Sequence, residues 1–289
     1  MKNFVNTLYE FCQNIQFKAE GIEIADKQID KLQIFVKEGE QSSFMRFVNK
    51  RRKKLSELYG LDTTPDHIPM FFTSGAHFEW VRGEQKPNEG LLKGGFSING
   101  ITDIFKDVVP FWESPLNRFE NVGDQRKPSA DSFSGLRWFD SPSFFNDSRY
   151  TPQYGCIVLE DSKWPSSFVF FDSGLQFEMA TFSFEQYFGQ LIASAAVVCW
   201  QYFFVDPDQI ISKNKGLHYR TWERHKITLV DKELRKLNLN KDTHHDRLDL
   251  IMEYLERCIR LLPSSFPFID FSYHIDFYER LNQKYLAQK

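Results

Sequence analysis

The chain carries none of the short signatures that announce a chemistry. It has no GxSxG nucleophile elbow, no GxxxxGKS/T phosphate loop, no GxGxxG dinucleotide turn and no HExxH metal helix. The enzyme classes that depend on those local motifs are excluded; a triad assembled by folding is not. Closely spaced cysteines are missing too. Cys12, Cys156, Cys199 and Cys258 form no CxxC pair, so reduced, buried thiols are expected rather than a disulfide framework. No apolar run reaches the roughly 18 residues that cross a bilayer. The richest, LIASAAVVCWQYFFV, has 15 residues and includes Gln201; it reads as a buried helix running into a strand. Excess charge of one sign is absent as well: 36 Lys and Arg face 39 Asp and Glu, a net charge of −3. That balance favours neither nucleic acid nor an anionic membrane as the main partner. The opening MKNFVNTLYEFCQNIQF lacks the apolar core and small-residue cleavage site of a secretory signal, and a cytoplasmic protein is expected.

Aromatic side chains are abundant instead. Thirty Phe, eleven Tyr and six Trp make up 16% of the 289 residues. Such rings bury large areas, so a sizeable core is available and part of the supply can face a partner. At roughly 150 residues per domain, the length allows one large domain or two modest ones.

Periodicity divides the chain into three parts. Residues 1–54 read as a helical extension packed on the core. Phe4, Val5, Leu8, Cys12 and Ile15 recur at three- and four-residue steps. A second pattern uses Ile29, Leu32 and Phe35, and a third runs from Ser43 to Tyr59. Residues 55–205 change texture: short β-rich runs alternate with Gly, Pro, Asn and Asp. GGFSING reads as a turn leading into a strand, and ITDIFKDVVPFW as a short helix ended near Pro110. YGCIVLE, SSFVFFD and SGLQFEMATF read as strands of an antiparallel meander. An amphipathic helix closes it, with Ser183 and Gln186 as a capping box and Phe184, Tyr187, Phe188, Leu191, Ile192 and Ala195 on one stripe. Residues 206–289 read as a helical extension, with a helix capped by Asp242 and stopped at Pro263.

Several residues are candidates for chemistry. His245 and Asp249, four apart on a predicted helix beside His244, could share a metal, but two ligands fall short of the three or four of a stable site. No metal or cofactor is expected. Asp140 in GLRWFDSP suits an Asx-type turn or a lone carboxylate in a cleft. His77 and Glu79 fall on one face of a strand whose other face carries Phe78 and Trp80, and a histidine beside a carboxylate can act as an acid–base pair. A hydrolase using His77, Glu79 and Asp140 is one alternative function. Six basic residues between Arg46 and Lys54, with Arg220, Arg224 and Lys226, frame a second alternative, nucleic-acid association.

The order of phrases carries a resemblance. DHIPMFFTSGAHFEW gives a helix stop at Pro69, a turn at Gly75 and an aromatic strand through Trp80, read as a helix-to-sheet junction. KGGFSINGITDIF, LRWFD, YGCIVLED with SFVFFDSG, and TFSFEQYFGQLIAS follow. In this order residues 55–205 resemble the SUKH superfamily, which includes immunity proteins of bacterial polymorphic toxin systems and a fungal regulator of cell-wall synthesis. Ser74-Gly75 stands where that family usually has Asn-Gly. The resemblance implies an α+β fold with a mostly antiparallel sheet of about five or six strands flanked by helices. It also implies a non-catalytic protein-binding module. An immunity protein's partner is a toxin domain, inhibited by direct occlusion. Aromatic anchors are common at interfaces, so Trp112, Phe119, Trp138, Phe144, Phe145 and Tyr150, with Asp140, are the candidate contacts.

Overall fold

A computed structural model describes residues 2–28, 50, 53, 76–82, 92–98, 136–141, 153–160, 163–172, 175–219 and 245–289. The helices expected at 29–35 and 101–110, and all of 43–59 except Lys50 and Lys53, lie outside the described residues. Lys50 and Lys53 are helical and exposed.

Strands β1 (Ile22–Gln28), β2 (Ala76–Arg82), β3 (Leu92–Ile98), β4 (Leu136–Ser141), β5 (Gln153–Glu160), β6 (Lys163–Asp172) and β7 (Leu175–Glu178) form one sheet. Spatial order follows chain order and every pairing is antiparallel. The expected meander is therefore present, within an α+β fold. The strands number seven rather than five or six. The N-terminal stretch, read as helical, supplies β1. Ile22 and Ile24 alternate with exposed Glu23 and Ala25, a period of two that only a strand can use.

Helices cover one face of this sheet. They are α1 (Lys2–Lys18), α2 (Phe184–Ala193), α3 (Pro207–Asn214), α4 (Arg247–Ser265) and α5 (Ser272–Leu286), with a 3-10 helix at Trp200–Phe204. A two-stranded ribbon pairs β8 (His218–Tyr219) with β9 (His245–Asp246). Among the described residues no helix is long and apolar enough to cross a membrane. All four cysteines are free and buried.

Helix α2 starts as its sequence dictates. The Ser183 hydroxyl accepts from the Gln186 amide at 3.1 Å, and the Gln186 side chain accepts from the Phe182 amide at 2.9 Å, a capping box whose return bond lands one residue early. The helix ends at Ala193, before the expected Ala195. Ala195 and Ala196 turn left-handed, with φ of 50° and 51°. The aromatic run that follows forms the 3-10 helix, not a strand, and only Val205 bridges back to Met179.

The reason lies in β3. Gly94 and Gly95, expected in a turn, sit inside the strand. A Cβ on Gly94 would lie 2.3 Å from the Trp80 indole, and one on Gly95 2.3 Å from the Phe78 carbonyl oxygen. Without side chains there, the segment after α2 lies against β3. The Gly95 amide donates to the Ala196 carbonyl at 2.7 Å, and the Val198 amide to the Lys93 carbonyl at 3.0 Å. Trp80, wholly buried, donates from Nε1 to the Ala195 carbonyl at 2.8 Å and meets Phe266 edge-on at 4.9 Å.

Helix α4 departs from expectation at both ends. Its cap is Asp246, which accepts from the Leu248 amide at 2.7 Å, not Asp242. It also passes Pro263 to reach Ser265. Proline removes one amide hydrogen and disfavours a helix interior, but here it falls in the last turn. The Ser264 and Ser265 hydroxyls donate to the Leu261 carbonyl and the Phe266 amide to the Leu262 carbonyl, which closes that turn. Helix α3 lies along the outer edge of β7. Gln209 accepts from the Glu178 amide and Lys213 donates to the Gln176 carbonyl.

Gly94→Ala drives a methyl group into the Trp80 indole. Overpacking of this kind costs about 1–3 kcal/mol, and the expected result in urea denaturation is a lower midpoint with an unchanged slope. An unchanged midpoint would show that the strand and indole are not tightly apposed.

Candidate functional site

The two faces of the sheet have different chemistry, and a bulge in β4 divides them. Pairing between β4 and β5 shifts register between Trp138 and Asp140. The shift turns consecutive residues to the same side. Phe139 and Asp140 both point at the helices, while Trp138 points away.

On the helix side, Phe139 packs edge-on against Tyr187, Phe184 and Phe168. Asp140, 2% exposed, accepts a 2.8 Å hydrogen bond from the Tyr187 hydroxyl. Gly155, directly across from Asp140, makes that bond possible: a Cβ there would stand 2.0 Å from the Tyr187 oxygen. Burial and then the Asp140 charge push the Tyr187 phenol well above its ordinary value, so it remains a donor. Asp140 was expected in a turn, in a cleft or among the partner contacts. It is instead a buried strand residue that ties the sheet to α2.

A second buried network ties the sheet to α4. Arg247, 2% exposed, donates to the Asp172 carboxylate at 2.6 Å. The Tyr202 hydroxyl donates to the same oxygen at 2.6 Å, and Gln153 reaches the other at 3.3 Å. Gln153 also donates to Cys199 Sγ at 2.9 Å. Burial and then the Asp172 charge push the Cys199 thiol well up, which suits an inert core thiol rather than a nucleophile.

A third polar pair joins α5 to the end of α2. The Ser194 hydroxyl and His274 Nε2 are 2.8 Å apart, and both residues are buried. Ser194 donates to the Gln190 carbonyl at 2.8 Å. Its proton is thus committed, and His274 Nε2 is assigned as the donor between them. The polarity is opposite to that of a nucleophile and its base. His274 Nδ1 has no partner. Rings of Phe203, Phe204, Phe271 and Tyr273 surround the imidazole. Burial lowers its pKa to about 4, against the opposing pull of Asp270.

The other face of the sheet is the candidate site. Trp138, Tyr154 and Val158, all half-buried, pack on a floor of Cys156, Val169 and Phe171. The Trp138 and Tyr154 rings meet edge-on at 5.1 Å. Beside them, cross-strand register aligns Gln28, His77, Ser97 and Ser141 in a row across four strands. His77 Nε2 lies 3.2 Å from Glu79 Oε1. The sequence predicted this pair, and alternation places it as expected. What sequence reasoning missed is Ser97, the cross-strand neighbour of His77; only strand register could have revealed it.

His77 and Glu79 therefore occupy the face opposite Asp140, and the three candidate acid–base groups do not converge. The helical spacing expected of His245 and Asp249 does not hold. His245 belongs to β9, before α4 begins, whereas Asp249 accepts from the Tyr285 hydroxyl and pairs with Lys289 at 3.3 Å. Among the described residues no three His, Cys, Asp or Glu side chains group as metal ligands. Trp112, Phe119, Phe144, Phe145, Tyr150, Pro69, Gly75, His244, Arg220, Arg224 and Lys226 lie outside the described residues. No family model, curated protein or solved structure matches the chain.

Acid is expected to loosen α5. Above pH 6.5, His274 is neutral both folded and unfolded, and its full contribution is present. As pH falls from 6.5 to about 4, the unfolded chain takes up a proton that the folded chain refuses, and stability drops. Below about 4 this group adds no further loss. The span corresponds to about 3 kcal/mol. His274→Gln is expected to flatten the stability–pH curve in that window, measured by urea denaturation at stepped pH. An unchanged slope would exclude His274 as the source.

Proposed function

We propose that the chain is a non-catalytic protein-binding module of the cytoplasm, of the immunity type described for the SUKH superfamily, which neutralises a toxin domain by covering it. The observation that carries the reading is the division of labour between the faces. The helix-side polar groups Asp140 and Tyr187, Asp172 and Arg247, and Ser194 and His274 are paired with one another. The other face holds a half-buried Trp and Tyr beside a cross-strand row of polar residues. Large rings of low conformational freedom flanked by hydrogen-bonding groups are what protein interfaces favour.

The element order supports the same reading. An aromatic β2, a glycine-bearing β3, the RWFD strand β4, the β5–β6 hairpin and the Phe-led helix α2 follow one another as in the phrases that carry the resemblance. Separation of His77 and Glu79 from Asp140 by the thickness of the sheet weighs against a hydrolase built on these three.

Co-purification with the product of the adjacent gene in the native host tests the proposal, with affinity measured by calorimetry. Binding by the parent chain and at least a tenfold loss with Trp138→Ala, at retained thermal melting, is the expected outcome. No complex, or full affinity in the folded variant, would overturn it.

A further inference from the structure

Arg82 closes β2, and alternation puts it on the same face as Trp80. It is 9% exposed. Its cross-strand neighbours are Ile22 on β1 and Leu92 on β3, and Leu92 is wholly buried. Two residues back along the strand stands the Trp80 indole, packed on Phe266. These described neighbours are all apolar.

A buried cation needs a counter-charge, because desolvation is otherwise uncompensated. The fold supplies one to Arg247, whose guanidinium meets Asp172 at 2.6 Å. Among the described residues none is paired with Arg82. Nε and Nη1 are both buried and both lack a hydrogen-bond partner. The carboxylates nearest along the strands point elsewhere. Glu23 lies across from Val81, on the opposite face, and Glu79 lies beside His77 on that face too. Guanidinium cannot shed its proton at any ordinary pH, so the charge stays whether or not it is matched.

We infer that Arg82 is an anion-binding residue: its guanidinium takes an oxyanion, a carboxylate or a phosphate, from outside the chain at the Ile22–Arg82–Leu92 end of the sheet. Arginine suits such a role, since its planar fork presents several donors to the oxygens of either group. The inference stands apart from the protein-binding reading. A free phosphate and an acidic side chain of a protein offer the same oxygens.

Thermal melting of the full chain separates the cases. The parent protein and Arg82→Met are compared in chloride, in inorganic phosphate and with a glutamate-rich peptide, all at one ionic strength. Arg82→Met, which keeps the apolar stem and removes the unmatched charge, is expected to melt higher than the parent in chloride. Saturating phosphate or peptide is expected to raise the parent's melting temperature by about 5 °C and to leave Arg82→Met unmoved. A response to phosphate assigns a free oxyanion; a response to the peptide alone assigns a protein carboxylate. If Arg82→Met does not fold, Arg82→Lys is used, and its half-saturating concentration is expected to rise at least tenfold. No response by the parent to either anion, or equal responses in parent and variant, overturns the inference.

Discussion

The hydrogen bond from the Trp80 indole to the Ala195 carbonyl holds the two layers in register. A buried indole N–H requires an acceptor, and a helix interior has none to spare. The left-handed pair Ala195–Ala196 ends α2 and frees a carbonyl at the right place. The absence of side chains on Gly94 and Gly95 lets that turn lie on β3. On its other side the same ring meets Phe266 at the end of α4. Sheet, α2 and α4 thus converge on one side chain. The strained residues are held because the surrounding bonds over-determine them.

Around that anchor the protein resolves its polar groups in pairs, each joining a strand or helix to a partner distant in sequence. Asp140 meets Tyr187, Asp172 meets Arg247, and Ser194 meets His274. Each pair crosses an interface between elements rather than lining a cleft. Buried pairs of this kind give geometric specificity more readily than net stability. They leave the helix-covered face with little chemistry to offer, and they direct attention to the opposite face, where Trp138, Tyr154 and the His77 row sit.

Legibility in the sequence followed the range of the interaction. The capping box at Ser183, the stripe of Phe184, Tyr187, Phe188 and Leu191, and the alternation through His77, Phe78, Glu79 and Trp80 are local patterns, and the structure has them. The same alternation, carried on to residue 82, turns Arg82 inward, a signal that the reading of the strand stopped short of. Elements set by distant contacts were hidden. Gly94-Gly95 looks like a turn until Val197 is known to pair with it. Asp140 looks like a turn residue until a bulge and Gly155 admit the Tyr187 hydroxyl. The Ser194–His274 pair spans 80 positions with no motif at either end. Helix α4 begins at Arg247, where the Asp246 side chain accepts from the Leu248 amide, a choice among nearby acids that the sequence alone does not mark.

The side chains of α3 along β7 have a wider consequence. A bare edge strand is a template on which another chain can pair. Gln209 and Lys213 occupy the Glu178 amide and the Gln176 carbonyl from the flank. The margin of the sheet is thereby finished with amide and ammonium groups, like a hem. A strand of a neighbouring molecule that reaches this margin finds those two groups already stitched.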